Sequence, residues 1–266
     1  MYLADYHTHS SCSPDAHFPM EEMARAGVRA GLRELCFTDH VETVETDEIR
    51  TGAGWDELQS CFARAGQAVP GIGLRLGMEL GGASLDTAAA DAIVDSAPPL
   101  DFIIGSVHAL SNRYDRKSLY YFRCRSESEA RLAIADYLSE AEKLARWGRF
   151  DVLGHLTLPL RYLNENQGMH MTFDGFEEQV AEIFRLLIAG GRGIEVNTNR
   201  GNTPLPDARW LRLYRELGGE IVTIGSDAHS PEYVGCAVAQ TQALLKDCGC
   251  THFCTFQNRR PTFHAL

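Results

Sequence analysis

Leu3-Ala4-Asp5-Tyr6-His7-Thr8-His9, followed by Ser10-Ser11-Cys12-Ser13-Pro14-Asp15, opens the chain with a short strand and a turn. Successive side chains of a strand point to opposite faces, so His7 and His9 share one. Two imidazoles on one face, at a strand end, make half a metal site. Six residues past His9 stands Asp15, on a turn-prone Ser-Pro-Asp loop that can bring a carboxylate back toward them. A lone histidine here would read as packed or solvated. The pair reads otherwise, because the rest of the chain keeps setting His, Asp and Glu at the ends of strand-like runs.

Short apolar runs alternate with amphipathic helical stretches throughout. Strands are expected at Leu35–Thr38, Leu74–Met78, Phe102–Ser106, Asp151–Leu153, Ile194–Val196 and Ile221–Ile224. In turn they deliver Asp39 and His40, Glu79, His108, His155, Asn197 and Arg200, and Asp227 and His229. Helices are expected over Met20–Ala30, Trp55–Ala68, Leu85–Ser96, Glu127–Trp147, Ala208–Leu217 and Tyr233–Cys248. One more carries Val180, Ile183, Phe184 and Leu187 on a face, and a closing strand is expected at His252–Phe256. Leu110–Arg125 and Thr157–Thr172 show no clear period, and long loops in compact domains are often functional. Strand–helix alternation predicts an α/β fold with a parallel sheet. Seven or so repeats suit a barrel, whose site lies at the C-terminal ends of the strands. An open doubly wound sheet would want a glycine-rich phosphate loop after the first strand, and Thr8-His9-Ser10-Ser11 is not one.

The chain has 266 residues, 44% of them hydrophobic, enough for one sizeable core over residues 1–266. No apolar run reaches the ~18 residues of a membrane span, and the N-terminus lacks a secretory signature, so no membrane partner and a cytoplasmic location are expected. Eight cysteines are scattered along the chain, and free thiols are expected. Cys248, Cys250 and Cys254 cluster, but without the spacing of a zinc ribbon. A net charge of −11 repels phosphodiester backbones, so no nucleic acid partner is expected.

Of ten histidines, six follow strands: His7, His9, His40, His108, His155 and His229. His17, His170, His252 and His264 do not. Asp15, Glu79 and Asp227 join the first six by position. Nine nitrogen and oxygen ligands without cysteine suit divalent Zn, Mn or Fe. They are too many for one ion. A carboxylate such as Glu79 can bridge two, and open positions are what metal-assisted hydrolysis needs.

The pieces Asp5-Tyr6-His7-Thr8-His9, Phe37-Thr38-Asp39-His40, Gly77-Met78-Glu79, Gly105-Ser106-Val107-His108, Gly154-His155 and Gly225-Ser226-Asp227-Ala228-His229 carry a family likeness. In order and spacing, over nearly the whole chain, they resemble the polymerase-and-histidinol-phosphatase (PHP) superfamily of metal-dependent phosphoesterases. Ile104–His108, Glu195–Arg200 and Phe256–Pro261 look most like its histidinol-phosphatase branch. The resemblance implies a distorted (β/α)7-type barrel and two to three divalent ions. It places the first on His7, His9, Glu79 and Asp227, the second on Glu79, His108 and His155, and the third on Asp15, His40 and His229. Relatives carry His or Asp at the position of Asp15. Spacing favours Asp15 over His17, which stands two residues on.

The implied activity is hydrolysis of a small phosphorylated substrate, L-histidinol phosphate, to L-histidinol and phosphate in histidine biosynthesis. A hydroxide bridging the first two ions would attack phosphorus in line, with Glu79, Asp227 and His229 as catalytic residues. A metal-bound water, Asp15 and His229 are the candidates to protonate the leaving alkoxide. Arg161 and Arg200 can clamp phosphate with a bidentate fork, a surface salt bridge being the plainer role for Arg161. Arg113, Arg116 and Lys117 read as a solvated loop face, and Asp39 as a residue that orients a ligand. Two rivals stand beside this reading. One is a phosphoesterase for nucleotides or nucleic-acid ends, which the acidic balance disfavours. The other is a silent metal-binding scaffold, which has no need of all nine ligands. No oligomeric state is implied.

Overall fold

The structure, a computed structural model, describes residues 1–44, 51–52 and 54–266. Strand β1 (Ala4–Thr8) pairs in parallel with β2 (Glu34–Phe37), which pairs with the first half of β4 (Gly73–Gly81). Strand β3 (His40–Glu42) pairs with the second half of β4 at the same offset of 39 residues, Glu34 facing Gly73 and His40 facing Glu79. Thus β2 and β3 are one stave, interrupted at Thr38-Asp39. The order continues in parallel through β5 (Phe102–Ser106), β6 (Val152–Leu153), β7 (Gly193–Asn197) and β8 (Val222–Gly225). Beyond β8 the chain returns to β1: the Asp227 N–H donates to the His7 carbonyl at 2.8 Å and the His9 N–H to the Ala228 carbonyl at 2.9 Å. A register shift between Asp5 and Thr8 distorts the pairing of β1 with β2. Among the described residues the fold is a distorted, nearly closed barrel of seven parallel staves. Helices cover its outside, so β1, β2, β5, β7 and β8 are buried along their whole length.

The helices are α1 (Met20–Arg29), α2 (Trp55–Ala68), α3 (Thr87–Ser96), α4 (Glu127–Trp147), α5 (Leu158–Leu160), α6 (Glu177–Ala189), α7 (Ala208–Glu216) and α8 (Val238–Asp247). The longest, α4, shows why they form. The Ser126 side chain accepts the Glu129 N–H, and Gly148 ends the helix with a φ of 71°. Between them Ala130, Ala133, Ile134, Tyr137, Leu138, Ala141, Leu144 and Ala145 form a buried stripe at helical spacing. No helix among the described residues is long and apolar enough to cross a membrane, and all eight cysteines are free.

Several elements depart from the expectation. The run at His252–Phe256 is a strand, β9 (His252–Gln257), but it does not close the barrel: it pairs antiparallel with β10 (Arg260–Ala265). That hairpin sits at the barrel's N-terminal end. The Asn258 N–H donates to Asp101 and the Arg259 Nε to Asp151, residues that lead into β5 and β6. Alternation marks a strand; it does not say which sheet takes it. The run from Leu74 extends to Gly81, so Glu79 lies inside its strand, because β3 and β5 supply partners up to Gly81. Helix α3 starts at Thr87, where Asp86 accepts the Ala89 N–H, and α8 starts at Val238 rather than Tyr233. The stretch 157–172 holds α5 and a π-helical turn, Arg161–Glu165, that aims Arg161 inward.

Candidate metal centre

All nine predicted donors meet at the C-terminal end of the barrel, around Glu79. Its Oε1 faces His155 Nε2 at 2.8 Å and His108 Nε2 at 3.0 Å; its Oε2 faces His40 Nδ1 at 3.0 Å and His7 Nε2 at 3.2 Å. Asp227 Oδ1 faces His9 Nε2 at 3.3 Å and His7 Nε2 at 3.6 Å. Asp15 Oδ2 lies 3.1 Å from His229 Nε2 and 3.6 Å from His40 Nε2. His17 is exposed and does not line the cleft, whereas Asp15, 55% exposed, stands on its rim. Among the described residues, four triads of donor atoms each lie within 4.8 Å: His7, His9 and Asp227; His7, Glu79 and His155; His40, Glu79 and His108; and His9, His40 and His229.

The folded chain orients these imidazoles from behind. Glu195 Oε1 accepts from His7 Nδ1 at 2.5 Å, and its Oε2 accepts the His155 N–H at 2.8 Å, holding a residue whose φ is 22°. Gly225 makes room for this: a Cβ there would fall 2.3 Å from the His7 Cβ and 2.4 Å from Glu195 Oε1. Glu42 Oε1 lies 2.6 Å from His108 Nδ1. The Ser13 hydroxyl donates to Asp39 at 2.9 Å and lies 3.1 Å from His9 Nδ1, so Asp39 acts on His9 through Ser13. The Ser106 hydroxyl donates to Glu79 Oε1 at 2.6 Å. Glu195 announces itself in sequence as an ionisable residue inside an apolar strand; Glu42 gives no such signal.

Electrostatics follow from this crowding. Burial pushes the Glu79 carboxyl up, but His7, His108 and His40 outweigh it and hold it well below the usual range. Asp227 is held well down against burial by His7, His9 and His229. Burial pushes His7 down, and Glu195, Glu79 and Asp227 reverse it to well above the usual value. His108 is raised to about 10, Glu79 and Glu42 overcoming burial. His9 goes the other way, to about 3, because burial is reinforced by His229 and His40. Protons on imidazoles thus balance buried carboxylates, a balance that divalent cations serve as well, displacing those protons. The donors fit such ions. His7 Nε2, His9 Nε2 and His40 Nδ1 are buried and point to the centre, where carboxylate oxygens 3.0–3.3 Å away complete no well-aligned hydrogen bond with them among the described residues.

The centre floors a cleft of about 800 Å³. Arg161 reaches in from the π turn and pairs with Asp227 Oδ2 at 3.2 Å, its side chain 13% exposed; it is no surface salt bridge. Arg200, after β7, has a φ of 55° and lies 4.9 Å over the Tyr233 ring. Tyr120, Tyr121 and Tyr162 form another wall. Arg113 stacks on Tyr114 and Arg116 donates to Asn112, away from the cleft.

A family model for the PHP domain matches residues 5–199. The histidinol-phosphatase of Lactococcus lactis subsp. lactis is 25% identical over 272 residues, 98% of this chain and 96% of its own. A Deinococcus radiodurans protein named "Probable histidinol-phosphatase" is 27% identical over 269 residues, 97% of this chain and 98% of its own. The crystal structure of histidinol phosphate phosphatase from L. lactis, complexed with zinc, L-histidinol and phosphate, superposes with a TM-score of 0.81 at 23% identity, covering 98% of each chain. That likeness establishes the fold.

Proposed function

The chain belongs to the PHP domain family, and from that premise we propose that it is a metal-dependent phosphomonoesterase hydrolysing L-histidinol phosphate to L-histidinol and phosphate in histidine biosynthesis. One observation carries the reading: a buried carboxylate, Glu79, is faced by four imidazoles at the floor of a cleft walled by Arg161 and Arg200. The names of the full-length relatives support the substrate.

Two to three ions of Zn, Mn or Fe are proposed. His7, His9, Glu79 and Asp227 would hold one, Glu79, His108 and His155 a second, and Asp15, His40 and His229 a third. Such ions would supply Lewis-acid charge against the phosphoryl oxygens and acidify the attacking water. Glu79, common to the first two sets, and Asp227 would supply the negative charge that holds them. Arg161, anchored on Asp227, and Arg200, anchored on Tyr233, present guanidinium forks to the phosphate. With the third site empty, Asp15 and His229, 3.1 Å apart at the cleft mouth, are the chain's own groups placed to protonate the leaving alkoxide; with it filled they would be its ligands. The flat faces of Tyr120, Tyr121 and Tyr162 suit the imidazole of the leaving group. Residues 1–266 act as one unit, in the cytoplasm, without nucleic acid.

The test compares kcat/KM for L-histidinol phosphate, an aryl phosphate, a nucleotide and a short single-stranded oligonucleotide, with Zn, Mn or Fe added. Clear preference for L-histidinol phosphate is expected. Equal or better turnover of the oligonucleotide overturns the reading in favour of a nuclease-like relative.

A further inference from the structure

We propose that Glu42 is a positioning residue for His108: its carboxylate accepts the hydrogen bond from Nδ1–H, so that Nε2 is presented unprotonated to a divalent cation beside Glu79. The proposal rests on the metal-binding part of the reading above.

A neutral imidazole carries one N–H, and the hydrogen bond at one nitrogen decides the role of the other. His108 Nε2 lies 3.0 Å from Glu79 Oε1, and Nδ1 lies 2.6 Å from Glu42 Oε1. An ionised carboxylate only accepts, so the proton between Glu42 and His108 belongs to Nδ1. Ligand histidines are commonly fixed in this way, and the ring is held in rotation as well as in tautomer.

The fold makes a place for this carboxylate. Glu42 ends the three-residue strand β3, where its N–H donates to Thr51 Oγ1 at 3.2 Å, and it stands in register with Gly81 of β4. A Cβ on Gly81 would lie 2.2 Å from each Glu42 carboxylate oxygen. The side chain therefore crosses the backbone at the one partner residue that leaves space for it. It is 5% exposed, so water does not compete for the bond.

His155 supplies the contrast. It shares Glu79 Oε1 with His108, yet its own Nδ1 is buried without a hydrogen-bond partner among the described residues. Of the two imidazoles on that oxygen, one is locked by a carboxylate. Binding at this position of the cluster therefore leans on Glu42, while the His7, His9 and Asp227 position, oriented by Glu195 and Ser13, does not.

The experiment strips the full chain with a chelator and titrates it with Zn²⁺, and with Co²⁺ followed by its visible spectrum, in the wild type, Glu42→Gln, Glu42→Ala and Gly81→Ala. One bound ion is expected to weaken by ~10- to ~100-fold in both Glu42 variants, more in Ala than in Gln, which keeps an acceptor without charge. The remaining ions are expected to keep their wild-type affinity, whatever stability the stripped protein loses with the Glu42–His108 pair. Gly81→Ala, which displaces the carboxylate while leaving Glu42 itself in the sequence, should weaken the same ion. If Gly81→Ala does not fold, the Glu42 pair decides alone. Wild-type affinity for every ion in both Glu42 variants overturns the proposal. So does a uniform loss of all ions together with lowered stability of the stripped protein, which would mark a structural role. Metal binding without hydrolysis of L-histidinol phosphate overturns only the earlier reading.

Discussion

Glu79→Gln is the sharpest single perturbation of the centre. It keeps the size of the side chain and the hydrogen bond from Ser106, and removes the negative charge that His7, His40, His108 and His155 face at 2.8–3.2 Å. The site is buried, so solvent does not make up the loss. Breaking a buried charge pair costs about 3–5 kcal/mol. If that loss falls on the transition state, kcat/KM drops by ~10²- to ~10⁴-fold, at about 1.4 kcal/mol per decade. The assay is steady-state hydrolysis of L-histidinol phosphate at saturating divalent ion, with near-ultraviolet circular dichroism to confirm the fold. A folded variant within about threefold of wild type, well under one decade, would refute the bridging role of Glu79 and the charge argument behind it.

Asp15→Ala is expected to lower metal content and rate together, whereas His17→Ala leaves both unchanged, because only Asp15 reaches His40 and His229; loss confined to the His17 variant reverses the assignment. Away from the centre, Arg259→Met removes the partner of buried Asp151 and should destabilise the stripped protein by about 1–3 kcal/mol. Burial pushes the Asp151 carboxyl up while Arg259 pulls it back, so the substitution raises its folded pKa further above the unfolded value. The deficit should accordingly be smaller at about pH 4 than at about pH 7.5, because protonating Asp151 removes the charge that Arg259 offsets. Denaturant unfolding at the two pH values checks this, and a deficit larger in acid contradicts it.

Much of this was legible in the chain because its two signals are local. The period of two puts His7 and His9 on one face without knowledge of anything else, and strand–helix alternation makes the parallel barrel the economical fold. Glu79 was found as a residue after an apolar run, though it lies inside its strand, since the strand's length is set by its neighbours β3 and β5. What stayed hidden depends on partners distant in sequence. Strand β3 is three residues long, too short for a period, and exists because β4 offers it a register. The hairpin β9–β10 reads correctly as strand at His252–Phe256, but its docking through Asn258 and Arg259 is a tertiary matter. Glu42 and Glu195 act on histidines 66 and 188 residues away, so spacing could not join them.

The number of divalent ions per chain in fully active protein, measured by elemental analysis alongside kcat, decides whether Glu79 and Asp227 belong to a centre of more than one ion. Nine donors around Glu79 and Asp227 predict two to three ions, with activity lost as they are removed and restored as they return. Full activity with at most one ion per chain would contradict the account.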